Sequence, residues 1–222
     1  MSKKAKGFLW AAIALMAAFV GFTLIVKFVG VEAIGPNGSE VGLAELNSKM
    51  REVFGSHESW EQYTEYLGYL AIVIGLCFAL IGLVQLIKGR SLRAVDKDIY
   101  CLGAFYADLA IVYVLFEKLV INYRPVLEDG ELAASYPSSH TILIVGILVT
   151  AAIQICNRVG NRAIRILGSS FAAVLAVVAV FGRLISGVHW FTDIVGALIL
   201  VGSLICEYCF AVEAVTLGHI NK

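Results

Sequence analysis

Six long apolar runs constrain the fold of this chain more than any other feature of its sequence. A helix needs about 20 apolar residues to cross the hydrocarbon core of a bilayer, and most of the runs approach that length. Only 15% of the residues are charged and 59% are hydrophobic, which is typical of a membrane protein. The sequence therefore predicts an all-α polytopic integral membrane protein, in one domain of residues 1–222, with six transmembrane helices at about residues 8–29, 66–87, 99–120, 141–155, 166–181 and 191–212.

The basic residues predict the orientation of these helices. Of the 17 Lys and Arg residues, 11 lie in the two terminal tails and in the loops after the second and fourth runs. The positive-inside rule makes that side cytoplasmic, so we expect both termini there. The opposite loops are rich in acidic residues. Residues 30–63 form the first of them, and within it the sequence VGLAELNSKMREVFG predicts a short amphipathic helix near the membrane interface.

This topology brings two polar segments to the extracytoplasmic side. The second of them contains Arg183, His189 and Asp193, between the fifth and sixth runs. If the chain is helical from Val188 onward, His189 and Asp193 share one helix face, because they are four residues apart. The carboxylate can then orient the imidazole and leave its other nitrogen free as a nucleophile. Arg183 offers a forked cation suited to phosphate or carboxylate.

The first polar segment ends in ASYPSSH, at the predicted start of the fourth transmembrane helix. Pro137 suits the first turn of a helix, and Ser135, Ser138 and Ser139 can cap that helix or bind a ligand. Free backbone N–H groups at a helix N-terminus favour an anion. His140 would stand at the edge of such a site, where it could donate a proton. Upstream, Lys118 and Arg124 supply positive charge.

Other interpretations of these residues remain open. A single Lys118 or Arg124 is more often an interfacial cation whose aliphatic stem lies in the membrane. His140, His189 and Asp193 could bind a divalent metal, although the sequence lacks the carboxylate or cysteine sets that usually complete such a site. A transport pathway would need polar groups deep in the membrane. Asp108 is such a group, and we expect a structural hydrogen bond for it to a neighbouring helix, such as one bearing Gln85 or a tyrosine.

Three short motifs resemble the type 2 phosphatidic acid phosphatases, the PAP2 superfamily of membrane lipid phosphatases. They are KLVINYRP, PSSH and GRLISGVHWFTD, which together cover residues 118–193. The chain departs from the family pattern at three positions. Strict spacing puts Glu117 rather than Lys118 at the family's lysine position, Ser139 replaces a glycine, and Gly182 replaces a serine.

The resemblance implies a mechanism that uses neither a metal nor another cofactor. His189 would attack phosphorus to form a phosphohistidine, Asp193 would orient it, and His140 would protonate the leaving oxygen. The transferred phosphoryl group would be bound by Arg183, Arg124, Lys118, Ser138 and Ser139.

We therefore expect a lipid phosphatase at the extracytoplasmic face of a plasma membrane of bacterial type. Its partners would be the bilayer and a lipid phosphate such as phosphatidic acid, phosphatidylglycerol phosphate or undecaprenyl pyrophosphate. The formal net charge of zero gives no reason to expect nucleic acid binding. A phosphotransferase of the same fold and a non-catalytic transporter or scaffold are the alternatives, and the sequence leaves the oligomeric state open.

Overall fold

The computed structural model describes the backbone of residues 1–220 and the side chains of residues 1–216. Lys222, one of the basic residues used to predict the orientation, lies outside the described residues. Within residues 1–220 the chain forms seven α helices and no β strand: α1 (Lys3–Phe28), α2 (Ala44–Phe54), α3 (Glu58–Gly89), α4 (Lys97–Lys118), α5 (Ser139–Arg158), α6 (Arg162–Ser186) and α7 (Phe191–Ile220).

Six of the helices in this range are long and apolar enough to cross a membrane, and only α2 is not. This confirms the six helices predicted from the apolar runs. The predicted boundaries were less accurate, because polar residues continue several helices beyond the apolar stretch. The largest difference is at α3, which begins at Glu58 and not near residue 66. The first polar loop is therefore shorter than residues 30–63, although its predicted short helix is present as α2.

Helices α5 and α7 form the centre of the bundle. Helix α1 packs along α7, while α5 packs against α3, α6 and α7. Most of their buried side chains are aliphatic, and Ile144, Leu148, Leu200 and Val201 are all almost completely buried. Helix α4 packs mainly on α7 and touches α5 only lightly. This uneven packing leaves a gap between α4 and α5.

Ion pairs gather at the end of the bundle where α1 begins and where the described part of α7 ends. Arg158, at the end of α5, pairs with Asp96 at 2.8 Å and with Asp98 at 2.7 Å. The amide of Gln85 donates to the same Asp96 carboxylate at 2.8 Å. Gln85 is therefore not the partner of Asp108 that the sequence suggested. The opposite end of the bundle carries His140 and His189.

Candidate active site

The turn between α6 and α7 presents His189. Helix α6 ends at Gly187, whose φ of +75° is a left-handed conformation that favours glycine. A Cβ atom there would also collide with the side chain of Ser56. Helix α7 begins at Phe191, so His189 precedes it. The expectation of a helix from Val188 onward was wrong, because Gly187 ends one helix and a separate turn is needed before the next.

Asp193 nevertheless lies beside His189, because it caps the start of α7. Its Oδ2 accepts a hydrogen bond from the backbone N–H of Trp190 at 2.8 Å, which is the acidic half of a capping box. The same Oδ2 lies 3.5 Å from Nδ1 of His189. His189 is 5% exposed and Asp193 is 0% exposed, so the pair is shielded from water.

Ser135 connects the two side chains. Its hydroxyl donates to Oδ2 of Asp193, and its oxygen lies 3.2 Å from Nδ1 of His189. Because the serine proton is already used, Nδ1 must be the protonated ring nitrogen that donates to Ser135. Nε2 of His189 then carries a free lone pair, and it is buried with no hydrogen-bond partner. The sequence had suggested Ser135 only as a possible cap or ligand, not as a bridge.

The surroundings of His189 keep its imidazole neutral. Burial lowers the pKa of His189 well below its ordinary value, and the positive charges of Arg183 and Arg124 lower it further. A neutral imidazole has the lone pair that a nucleophile needs.

Helix α5 contributes its first turn to the site. His140 and Ser139 both line the cavity described below, and the Nδ1 of His140 is buried without a partner. Ser138 has a different part. Its Oγ accepts from the N–H of Thr141 at 3.4 Å, and its own N–H donates to the carbonyl of Asp193 at 3.2 Å. Ser138 therefore caps α5 and joins it to α7, and it does not line the cavity.

Arg183 is held in place by α3. This arginine is 1% exposed, and its Nη1 donates to Oγ1 of Thr64 at 3.2 Å. Gly182 allows the approach of the two helices, because a Cβ atom there would lie 2.6 Å from Cγ2 of Thr64. The Nε of Arg183 is buried and has no partner. A buried guanidinium with unused donors is suited to an anion.

Arg124 is placed by an irregular hairpin between α4 and α5. The backbone N–H of Arg124 donates to the carbonyl of Ala133 at 3.0 Å, and the hairpin turns at Asp129 and Gly130, both with positive φ. Nη1 of Arg124 lies 3.4 Å from a carboxylate oxygen of Glu128. The side chain lines the cavity together with both histidines. The hairpin thus places Arg124, from the motif KLVINYRP, in the same cavity as His140 and His189, which come from the other two motifs.

A cavity of about 490 Å³ fills the gap between α4 and α5. Its polar end contains Arg124, Ser139, His140 and His189. Lys118 does not line it, whereas Glu117 does. Successive residues of a helix point about 100° apart, so only one of these two neighbours can face the cavity. The structure therefore does not bring Lys118 to the other candidate residues.

Among the described residues, no three His, Cys, Asp or Glu side chains are grouped so that they could hold a metal ion. The five cysteines are free thiols.

The low pKa of His189 predicts that its imidazole stays reactive in mild acid. Diethyl pyrocarbonate modifies only neutral imidazole, and a peptide histidine loses that form as the pH falls through about 6.5. Because the pKa of His189 is lower, its modification rate at pH values just below about 6.5 should stay near the rate at neutral pH. Mass spectrometry of the modified protein, with a histidine peptide in the same tube, measures both rates. A rate for His189 that follows the titration of the peptide would contradict the assignment.

Comparisons with known proteins support the fold and identify the family. A crystal structure described as the first transmembrane PAP2 type phosphatidylglycerolphosphate phosphatase from Bacillus subtilis has the same fold, with a TM-score of 0.58 and 17% sequence identity over 89% of this chain and 94% of that chain. A search of curated proteins found no match. The sequence profile of the PAP2 superfamily matches residues 99–214, from the start of α4 into α7. This match covers more than half of the chain and includes all three motifs, and the protein therefore belongs to the PAP2 superfamily of integral membrane proteins.

Proposed function

We propose that the protein is a membrane lipid phosphatase that acts through a phosphohistidine on His189. One observation supports this proposal most strongly. The unpaired Nε2 belongs to a histidine that shares a single cavity with His140 and Arg124, and that cavity continues between two membrane-spanning helices. A nucleophile, a proton donor and a cation therefore meet at the polar end of a space open to lipid.

The rest of the cavity wall favours a lipid over a water-soluble phosphate ester. Beyond the histidines, the wall is formed by apolar and aromatic side chains of α4 and α5, among them Leu109, Val112, Phe116, Ile142, Leu143 and Ile147. An acyl chain that leaves the bilayer stays in an apolar environment along such side chains and is not exposed to water. A soluble ester gains nothing there, so the wall supports a substrate with a hydrocarbon tail.

The reaction then proceeds in two displacements. In the first, the lone pair of His189 Nε2 forms a bond to phosphorus, the bond from phosphorus to the lipid oxygen breaks, and His140 gives that oxygen its proton. The Nδ1–H of the phosphorylated ring is stabilised through Ser135 by the negative charge of Asp193. In the second displacement, water loses a proton to His140 and attacks phosphorus. The P–N bond breaks, and phosphate leaves with His189 neutral again.

Positive charge around the cavity stabilises the transferred group. Arg124 lines the cavity, whereas Arg183 is buried beside Thr64 of α3 and does not line it. The N-terminus of α5 adds N–H groups that the helix itself does not use. In phosphoryl transfer most of the catalysis comes from such positioning and charge. Ser139 stands at this helix start and is the serine of the second motif that can reach the phosphate.

Two carboxylates in the cavity wall favour a phosphomonoester over a pyrophosphate. Glu117 and Glu128 both line the cavity, and Glu128 already offsets part of the charge of Arg124. Each further negative charge on a substrate is repelled by them. Phosphatidic acid and phosphatidylglycerol phosphate therefore fit the site better than undecaprenyl pyrophosphate. The superfamily member of similar fold is described as a phosphatidylglycerolphosphate phosphatase.

The distribution of basic residues supports an extracytoplasmic site. The candidate residues lie at one end of the bundle, and the basic loop before α6 lies at the other, with the start of α1 and the last described turn of α7. By the positive-inside rule the termini face the cytoplasm, so the site would face outward from a plasma membrane, bacterial in type.

A substrate panel with EDTA present tests the proposed activity. We expect the purified protein in detergent to release inorganic phosphate from lipid phosphomonoesters, with a higher kcat/KM than for a lipid pyrophosphate, and to lose no activity in EDTA. Phosphate release only when a second lipid or sugar acceptor is added would instead identify the phosphotransferase. No release from any lipid phosphate would favour the transporter or scaffold, and loss of activity in EDTA would favour a metal.

A further inference from the structure

We propose that Asn47 is a positioning residue that holds the turn bearing His189 in its reactive geometry. Asn47 lies in α2, outside residues 99–214 that the family profile matches. The role assigned to it rests on the proposed function, because positioning has meaning only for the attack on phosphorus.

The side-chain amide of Asn47 makes three hydrogen bonds and is 1% exposed. Its Oδ1 accepts from the backbone N–H of Thr192 at 3.1 Å. Its Nδ2 donates to Oγ1 of Thr192 at 3.0 Å and to the carbonyl of Gly42 at 2.8 Å. Both donor hydrogens are therefore used. Alanine at this position would leave two buried groups of Thr192 without a partner.

Thr192 is the residue through which Asn47 can act on the site. It is the second residue of α7, and its N–H is one of the four at a helix N-terminus that the helix leaves free. The next residue is Asp193, and His189 lies three positions before Thr192. Asn47 thus caps α7 from another helix and fixes the position from which Asp193 reaches Trp190 and His189.

Helix α2 also holds the other end of the same turn. Nη1 of Arg51 donates to the carbonyl of Gly187 at 3.2 Å, and its guanidinium lies over the ring of Trp190 at 5.6 Å from the centroid. Asn47 and Arg51 are one helical turn apart, so they face the same way. Together they bind the turn before and after His189.

A second chain of hydrogen bonds connects Gly42 to Ser135. The N–H of Gly42 donates to Oδ1 of Asn122 at 3.2 Å, and the backbone carbonyl of Asn122 accepts from the N–H of Ser135 at 3.0 Å. Ser135 is the residue that joins His189 to Asp193. Gly42 is therefore connected through Asn47 to the turn that bears His189, and through Asn122 to Ser135, which contacts the ring of His189.

A positioning role and a purely structural role predict different kinetics. Displacement of a reacting group by about 1 Å can lower the rate about 100-fold without loss of substrate binding. Asn47→Ala should therefore lower kcat about 10- to 100-fold and leave KM within about twofold of wild type. A purely structural asparagine would lower the amount of folded protein and leave kcat per folded molecule unchanged.

The experiment uses the purified full-length protein and a lipid phosphomonoester that wild type hydrolyses. Thr192→Val removes only the hydroxyl from the partner side and keeps the shape of the side chain, whereas Thr192→Ser keeps the hydroxyl. We expect Thr192→Val to lower kcat less than Asn47→Ala does, because the backbone N–H that Asn47 caps is kept. Thr192→Ser should restore most of this loss, and Asn47→Ala should lower kcat less in the Thr192→Val background than in wild type, because both changes remove the same hydrogen bond. Lys49→Ala is the matched control, because Lys49 lies on the same helix and pairs only with Glu45 on the surface.

The inference would be overturned if folded Asn47→Ala had the kcat of wild type. It would also be overturned if the effects of Asn47→Ala and Thr192→Val on the logarithm of kcat were fully additive. Hydrogen exchange separates this failure from a failure of the proposed function. Even if wild type hydrolysed no lipid phosphate, Asn47→Ala should speed amide exchange across residues 187–193, and Lys49→Ala should not. Unchanged exchange in Asn47→Ala would overturn the inference on that ground alone.

Discussion

Replacement of His189 by alanine is expected to lower kcat by at least ~10⁴-fold. The proposed reaction forms a covalent bond to Nε2 of this ring, and that atom is buried, unpaired and directed at no other protein group. In His189→Ala a water molecule would have to attack phosphorus instead, and the protein does not hold its lone pair in this position. The measurement is phosphate release per folded molecule, with folding checked by size exclusion and by the melting temperature.

His57→Ala is the matched control for this substitution. His57 is an exposed histidine before α3 that does not line the cavity, so its removal should leave phosphate release unchanged. If His189→Ala retained more than about one hundredth of the wild-type kcat, a nucleophilic role for this histidine would be untenable, because loss of a nucleophile costs far more than loss of a supporting group.

Asp193→Asn is expected to lower kcat about 10²- to 10⁴-fold. Asparagine keeps the shape of the side chain and can still accept the N–H of Trp190. It removes the negative charge of the carboxylate, which acts on His189 through the hydroxyl of Ser135. The positively charged phosphohistidine then loses this stabilisation. A neutral amide can also turn its NH2 group toward Ser135, which would reverse the hydrogen bonds that keep the proton on Nδ1 of His189.

The comparison variant for Asp193→Asn is Asp108→Asn. Asp108 is a partly buried carboxyl group in α4 that does not line the cavity, so the same chemical change there should leave kcat near wild type. The two variants are compared by kcat and by melting temperature. Equal kcat in Asp193→Asn and wild type would show that the carboxylate charge has no part in the reaction.

The number of membrane helices could be predicted from the sequence, because each requires a long apolar run that few other structures contain. The helix ends could not. Glu58 and its polar neighbours extend α3 beyond the apolar run, and hydropathy does not detect polar residues that continue a helix outside the hydrocarbon core. The break at Gly187 was missed for another reason. A spacing of four between His189 and Asp193 suits a helix, yet a capping box brings the same two side chains together without one.

Sequence patterns could not predict the residues that hold the site in position. His189, His140, Arg124 and Arg183 lie in recognisable motifs, and the structure brings them to one end of the bundle. Asn47 binds Thr192 across 145 positions, and Thr64 binds Arg183 across 119. Hydrogen bonds of this kind depend on tertiary packing, which leaves no periodic signal around either partner. Lys118 is a different case, because it lies in a motif, yet its neighbour Glu117 is the residue that lines the cavity.

Capture of the covalent intermediate tests the central claim most directly. Wild type and His189→Ala are mixed with a lipid whose phosphate is radiolabelled, quenched in alkali within one turnover, digested and mapped. We predict an alkali-stable, acid-labile label on the wild-type peptide that contains His189, and none on the variant. Label on a different residue, or turnover of the lipid without any labelled protein, would contradict the account.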